Sequence, residues 1–145
     1  VGRQIGRLYG LADVLGYGFP LAGWTPGSVE REIIEERLEL GFDWTSLHIW
    51  TEMSHWANLG SPSFVHDWQK TEVPVYVMVG DWDRLMPMRD ARGAYDLAGS
   101  TDRTLHLFDH WDHQVHWGHL DLVLGKHASQ HTWPALDAWM SGRQV

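Results

Sequence analysis

"VPVYVMVGDWDRLMP", residues 73–87, sets the architecture of this chain. Its first half is a run of β-branched and apolar residues with no polar alternation. A strand with two apolar faces is buried on both sides, and such strands belong to parallel sheets covered by helices. Two carboxylates, Asp81 and Asp83, follow at once. In open α/β sheets, chemistry gathers beyond the carboxyl ends of the strands, which is where both residues fall.

The flanking sequence supports a βαβ unit. "MPMRDARGAYDLAG" carries Ala91, Ala94, Tyr95 and Ala98 at helical spacing, and "RTLHLFD" reads as a second strand. Strand, helix and strand make one right-handed crossover with parallel pairing. A loop over 109–118 comes next. "HLDLVLG" and "ASQHTWPALDAWM" then read as closing helices, the last bent or started at Pro134. Toward the N-terminus, residues 1–27 are glycine-rich, with one short helix expected near Ile5–Leu15. "TPGSVEREIIEERLEL" predicts a helix capped by Thr25 or Ser28 and stopped by Gly41, with Ile33, Ile34 and Leu38 on one face. "FDWTSLHIWTEMSHWANLG" predicts another, capped by Asp43 and closed by Gly60. Its apolar and aromatic content suits a helix that packs on two sides or covers a pocket.

The chain has 145 residues, a formal net charge of −8, ten tryptophans, ten histidines and no cysteine. Residues 1–72 carry 5 basic and 10 acidic side chains and residues 73–145 carry 6 and 9, so neither half suits a nucleic-acid backbone. The lack of cysteine removes disulfides, thiolate metal sites and a cysteine nucleophile. No apolar run is long enough for a transmembrane segment. Val1 stands where Met would be, so the true start is expected upstream. No signal peptide is visible, which points to the cytoplasm.

His119 follows the second strand as Asp81 and Asp83 follow the first. Neighbouring parallel strands lie about 4.8 Å apart, so loops leaving their same ends can meet. A carboxylate that fixes the tautomer of an imidazole leaves the other ring nitrogen free to act as a base. A metal site is the rival reading, on His106, His110, His113, His116 and His119 with Asp109 and Asp112. Zinc accepts such ligands, but the spacing lacks an H-E-x-x-H helix.

"VPVYVMVGDWDRLMP" resembles the acid-bearing strand and loop of the α/β-hydrolase superfamily. "WGHLDLVLGKHASQHTWPALDAWM" resembles the histidine loop and final helix of its lipase-like and polyester-synthase-like branches. The resemblance covers residues 70–140 and implies that Asp83 is the catalytic acid and His119 the general base, with no role for Asp81. It divides the chain into a helical cap or lid segment, 1–70, and the C-terminal part of the core, 71–145. The family's nucleophile sits on a G-x-S-x-G elbow. No such pentapeptide occurs here: Ser28, Ser61 and Ser63 lack the flanking glycines.

The fold expected is therefore α/β, a C-terminal portion of a hydrolase sheet preceded by a cap. The implied activity is hydrolysis or transfer of esters of hydrophobic acyl groups, with the serine supplied from elsewhere and the chain alone inactive. Trp44, Trp50, Trp56, Trp82 and Trp117, with Phe19, Trp24 and Phe42, are candidates to line an acyl pocket or to pack a core. The mechanism requires no organic cofactor and no metal. The alternative is a noncatalytic remnant that self-associates or pairs with a complementing N-terminal half.

Overall fold

The apolar run forms strand β1 (Val75–Gly80), and "RTLHLF" forms β2 (Arg103–Phe108). The two pair in parallel, with Val75 opposite Arg103 and Gly80 opposite Phe108. The computed structural model describes residues 13–14, 23–40, 46–60 and 64–143. Among them the helices are α1 (Arg31–Leu40), α2 (Leu47–Leu59), α3 (Val65–Trp68), α4 (Met88–Leu97), α5 (His110–His113), α6 (Asp121–Leu124) and α7 (Thr132–Ser141). The result is a mixed α/β chain whose sheet, in this part, has two strands. A full multi-stranded sheet is not among the described residues.

α4 makes the crossover and packs on both strands, burying Ala91 and Ala98. Ala94 stays exposed, at variance with the helical face expected for it. α7 lies against the sheet through Trp139, whose indole N–H donates to Thr104 Oγ1 at 3.1 Å and whose ring meets Tyr76. At its end Arg143 forms a two-pronged bond with Asp102, which holds that carboxyl below its usual range. Pro134 sits inside the first turn of α7, where a missing N–H costs nothing. Phe108, Trp117 and Leu122 form one core cluster, and Trp24, Val29 and Ile34 a second.

The first helices depart from the sequence reading. α1 begins at Arg31, and Thr25 and Ser28 do not cap it; both are bonded to Asp121. Ile34 is buried while Ile33 lies at the surface, and the side chain of Leu38 lies outside the described set. The N-cap of α2 is Ser46, whose hydroxyl accepts from the Ile49 N–H; Asp43, the cap expected, is outside the described residues, and of the helix expected near Ile5–Leu15 only Asp13 and Val14 are described, both helical. Gly60 does end α2, at φ 72°, a conformation that favours glycine. α2 has no buried residue: Leu47 is 80% exposed and Trp50 58%.

Candidate active site

The ends of β1 and β2 are tied together before any side chain acts. The Asp81 N–H donates to Phe108 O at 2.9 Å, and the Trp82 N–H donates to Trp117 O at 3.0 Å. The second bond lays the histidine loop across the end of β1. Only glycine at position 80 allows it, because a Cβ there would lie 2.1 Å from Trp117 O.

Asp83 and His119 meet on this platform. His119 Nδ1 stands 2.8 Å from Asp83 Oδ2. An ionised carboxylate only accepts, so Nδ1 carries the proton and donates it. The other oxygen, Oδ1, accepts from the N–H groups of Leu85 at 2.9 Å and Met86 at 2.7 Å. The "RLMP" turn thus folds around its own aspartate, as Asx turns do, and fixes the carboxylate before the histidine arrives. The Asp83 side chain is 1% exposed; that of His119 is 44% exposed. The imidazole therefore faces outward from a buried anchor, and its Nε2 has no partner among the described residues.

Asp81, which has no role in the resemblance, clamps the histidine loop. Oδ1 accepts from the Trp117 N–H at 2.8 Å; Oδ2 accepts from the His110 N–H at 3.2 Å and pairs with His116 Nδ1 at 2.6 Å. Two aspartates two residues apart thus hold two histidines three residues apart. The His116 ring stacks on Trp82 at 3.9 Å and on His110 at 4.8 Å.

Asp121 is the residue that sequence reasoning missed. It is 1% exposed. Its Oδ2 accepts from the Thr25 N–H, the Thr25 hydroxyl and the Gly118 N–H at 2.7–2.9 Å, and Oδ1 takes the Ser28 hydroxyl at 2.5 Å. It staples the early segment to the glycine just before His119. The only local sign was a carboxylate in an otherwise apolar "HLDLVL".

His106, His113 and His131 are engaged by rings. His106 accepts from, or donates to, the Tyr76 hydroxyl at 2.6 Å and stacks on Phe108 at 4.1 Å; His113 lies 4.8 Å from His131 and 5.6 Å from Trp117. Burial lowers the pKa of His106 and of His131, and the neighbouring His113 lowers both further. Among the described residues no group of three or more histidine or carboxylate side chains is placed to hold a metal ion.

The proposed aromatic wall is only partly assembled. Trp82 and Trp117 line a cleft of about 460 Å³ between the histidine loop and the 25–28 turn. Trp117 is also a core residue, 1% exposed. Trp50 and Trp56 on α2 do not reach that cleft; Trp56 packs edge-on against Phe64. Trp24 is buried in the core, and Trp44, Phe19 and Phe42 lie outside the described residues, as do Ser61 and Ser63. No helix among the described residues is long and apolar enough to cross a membrane. No protein-family model, curated protein or solved structure matches the chain.

Proposed function

We propose that this chain carries the acid and the base of a Ser-His-Asp triad in an α/β-hydrolase-type protein acting on esters of hydrophobic acyl groups. The observation that supports it is the bond of His119 Nδ1 to the buried Asp83, with Nε2 left unpartnered on an exposed ring edge. In the reaction Nε2 takes the proton of a serine hydroxyl as its oxygen adds to the acyl carbonyl. The imidazolium, held by Asp83, then returns that proton to the departing alkoxide. Water, or a second alcohol in a transferase, repeats the cycle to release the acyl group. The serine comes from sequence other than this chain, which has no G-x-S-x-G elbow. No cofactor or metal enters these steps.

The test is ester turnover with a serine-directed fluorophosphonate. The chain alone is expected to give neither turnover nor label. Joined to upstream coding sequence that bears the elbow, it is expected to hydrolyse acyl esters, with turnover falling about a thousandfold or more in Asp83→Asn. A labelled serine within residues 1–145, or full activity in Asp83→Asn or His119→Ala, would overturn the assignment.

A second reading, a noncatalytic association domain, draws on α2 and the sheet. Leu47, Ile49, Trp50 and Met53 are exposed together, and neither outer edge of the β1–β2 pair carries a further strand among the described residues. Such features favour self-association or a complementing chain. Light scattering over a concentration series checks it, with Trp50→Glu expected to shift the protein toward monomer.

A further inference from the structure

Resting on the triad reading above, we propose that the turn at residues 23–28 is a positioning strap for His119, and that the pair with Asp83 keeps its geometry only while this turn is seated on the histidine loop. The His119 side chain is 44% exposed, so packing alone does not fix its ring. One bond to Asp83 leaves the ring free to swing unless the backbone beneath it is held. The early turn holds that backbone on both flanks. On one side the Leu120 N–H donates to Gly23 O at 2.6 Å. On the other the Gly118 N–H donates to Asp121 Oδ2 at 2.7 Å, the same oxygen that takes the Thr25 N–H and hydroxyl at 2.9 Å. The Ser28 hydroxyl meets Asp121 Oδ1 at 2.5 Å and closes the clasp.

The two backbones touch where each carries glycine. A Cβ on Gly118 would lie 2.9 Å from Gly23 O and 3.1 Å from Trp24 Cα. A Cβ on Gly23 would lie 2.7 Å from Leu85 Cδ1 and 3.4 Å from His119 Cβ, and its φ of 65° disfavours any side chain. Gly23 therefore sits against both supports of the pair: Leu85, whose N–H anchors the Asp83 carboxylate, and the stem of His119. Trp24, 2% exposed, roots the turn in the core with Val29 and Ile34, and Leu120 packs on that cluster. The base thus takes its place from residues some 95 positions earlier. A displacement of about 1 Å at such a group can cost about a hundredfold in rate. The turn touches neither nitrogen of the His119 ring; Gly23, Thr25 and Ser28 act through the backbone they fix, as positioning residues.

Long-range proton–nitrogen NMR on the full chain, at about pH 9 where an imidazole is neutral, reads the ratio of the Nδ1–H to the Nε2–H form of His119, assigned through His119→Gln. Thr25→Val/Ser28→Ala takes both hydroxyls of the turn off Asp121 and leaves Asp83 and the histidine loop unaltered in sequence. The ratio is expected to fall about tenfold or more, the worth of a lost bond to a charged group. Thr25→Ser, which keeps the hydroxyl, should hold the native ratio. Arg143→Met breaks the pair with Asp102 at the opposite end of β2, and should lower stability without moving the ratio. Ser28→Ala alone, at a part-buried hydroxyl, carries the test if the double variant unfolds, with a smaller fall expected. A native ratio in the turn variants, or an equal fall in Arg143→Met, would overturn the strap. Asp83→Asn separates this from failure of the triad reading. If it changes the tautomer while the turn variants do not, the pair stands and the strap falls. If the turn variants shift the tautomer but ester turnover by the completed enzyme ignores Asp83→Asn, the strap stands and the triad falls. A native His119 already in the Nε2–H form would overturn both.

Discussion

Asparagine at position 83 changes little in shape and much in proton placement. In the native turn Oδ1 accepts from two backbone N–H groups and Oδ2 from His119. An amide has one accepting oxygen, and the Leu85 and Met86 N–H groups claim it. Its NH2 must then face His119 Nδ1. Two donors cannot share one contact, so the imidazole proton moves to Nε2 and Nδ1 becomes the acceptor. The three bonds survive but lose the charge on their acceptor. Bonds to charged groups are worth roughly 1 kcal/mol more than neutral ones, which sets a ceiling of about 3 kcal/mol. Leu85 and Met86 are partly exposed and water can take part of that load, so we expect a loss of about 1–2 kcal/mol. For a chain of this length that lowers Tm by about 2–8 °C. Long-range proton–nitrogen NMR reads the tautomer of His119 directly, and urea denaturation reads the stability. A His119 that keeps its proton on Nδ1 in Asp83→Asn, or one that already carries it on Nε2 in the native protein, would refute the reasoning.

Asp121→Ala should cost about 3–5 kcal/mol, because it strands the buried N–H groups of Thr25 and Gly118 together; a urea midpoint within error of the native one would contradict the staple. Gly80→Ala should cost about 2 kcal/mol or more, since the new methyl meets the Trp117 carbonyl; the same variant should loosen the Asp83–His119 bond, seen as loss of the Nδ1 proton signal. Stability should also fall with acid in a defined window. His106 and His131 have lowered pKa values in the fold, so below their ordinary value near 6.5 the unfolded chain binds protons that the folded chain refuses. Their contribution is complete above about 6.5 and declines as pH drops from there toward the folded values, by less than about 1.4 kcal/mol per pH unit for each group after solvent screening. A stability that rises between pH 6.5 and 5 would reverse that sign.

The strands and their crossover helix were legible because burial on two faces leaves a local signature. β1 falls on the unbroken apolar run, α4 on the alanine-spaced segment and β2 on "RTLHLF", as expected. Strand ends and parallel pairing brought Asp81 and Asp83 near the histidine loop; it was the resemblance that singled out Asp83 and His119, which do pair. Thr25 and Ser28 misled, since a hydroxyl before a helix looks alike whether it caps that helix or bonds a carboxylate some 95 residues away. The Asp81–His116 pair was hidden in the same way, because the geometry that closes it depends on Gly80 accepting Trp117. Trp82 and Trp117 both read as wall or core, and only packing separates the exposed stacking ring from the one that does both.

The staple at Asp121 has a bearing on the order in which the chain assembles. β1 and β2 pair across a register offset of 28 residues, whereas Thr25 and Asp121 lie 96 apart. Closing a flexible loop costs about 3 kcal/mol at the first separation and about 4 kcal/mol at the second, before any contact offsets it. The crossover unit is therefore the natural nucleus, and the turn at 25–28 joins a surface that already exists. Hydrogen exchange should rank the amides accordingly. Those of β1 and β2 exchange only on global unfolding, while the Thr25 and Gly118 amides escape earlier, in a sub-global opening that releases the early segment and leaves the strand pair intact.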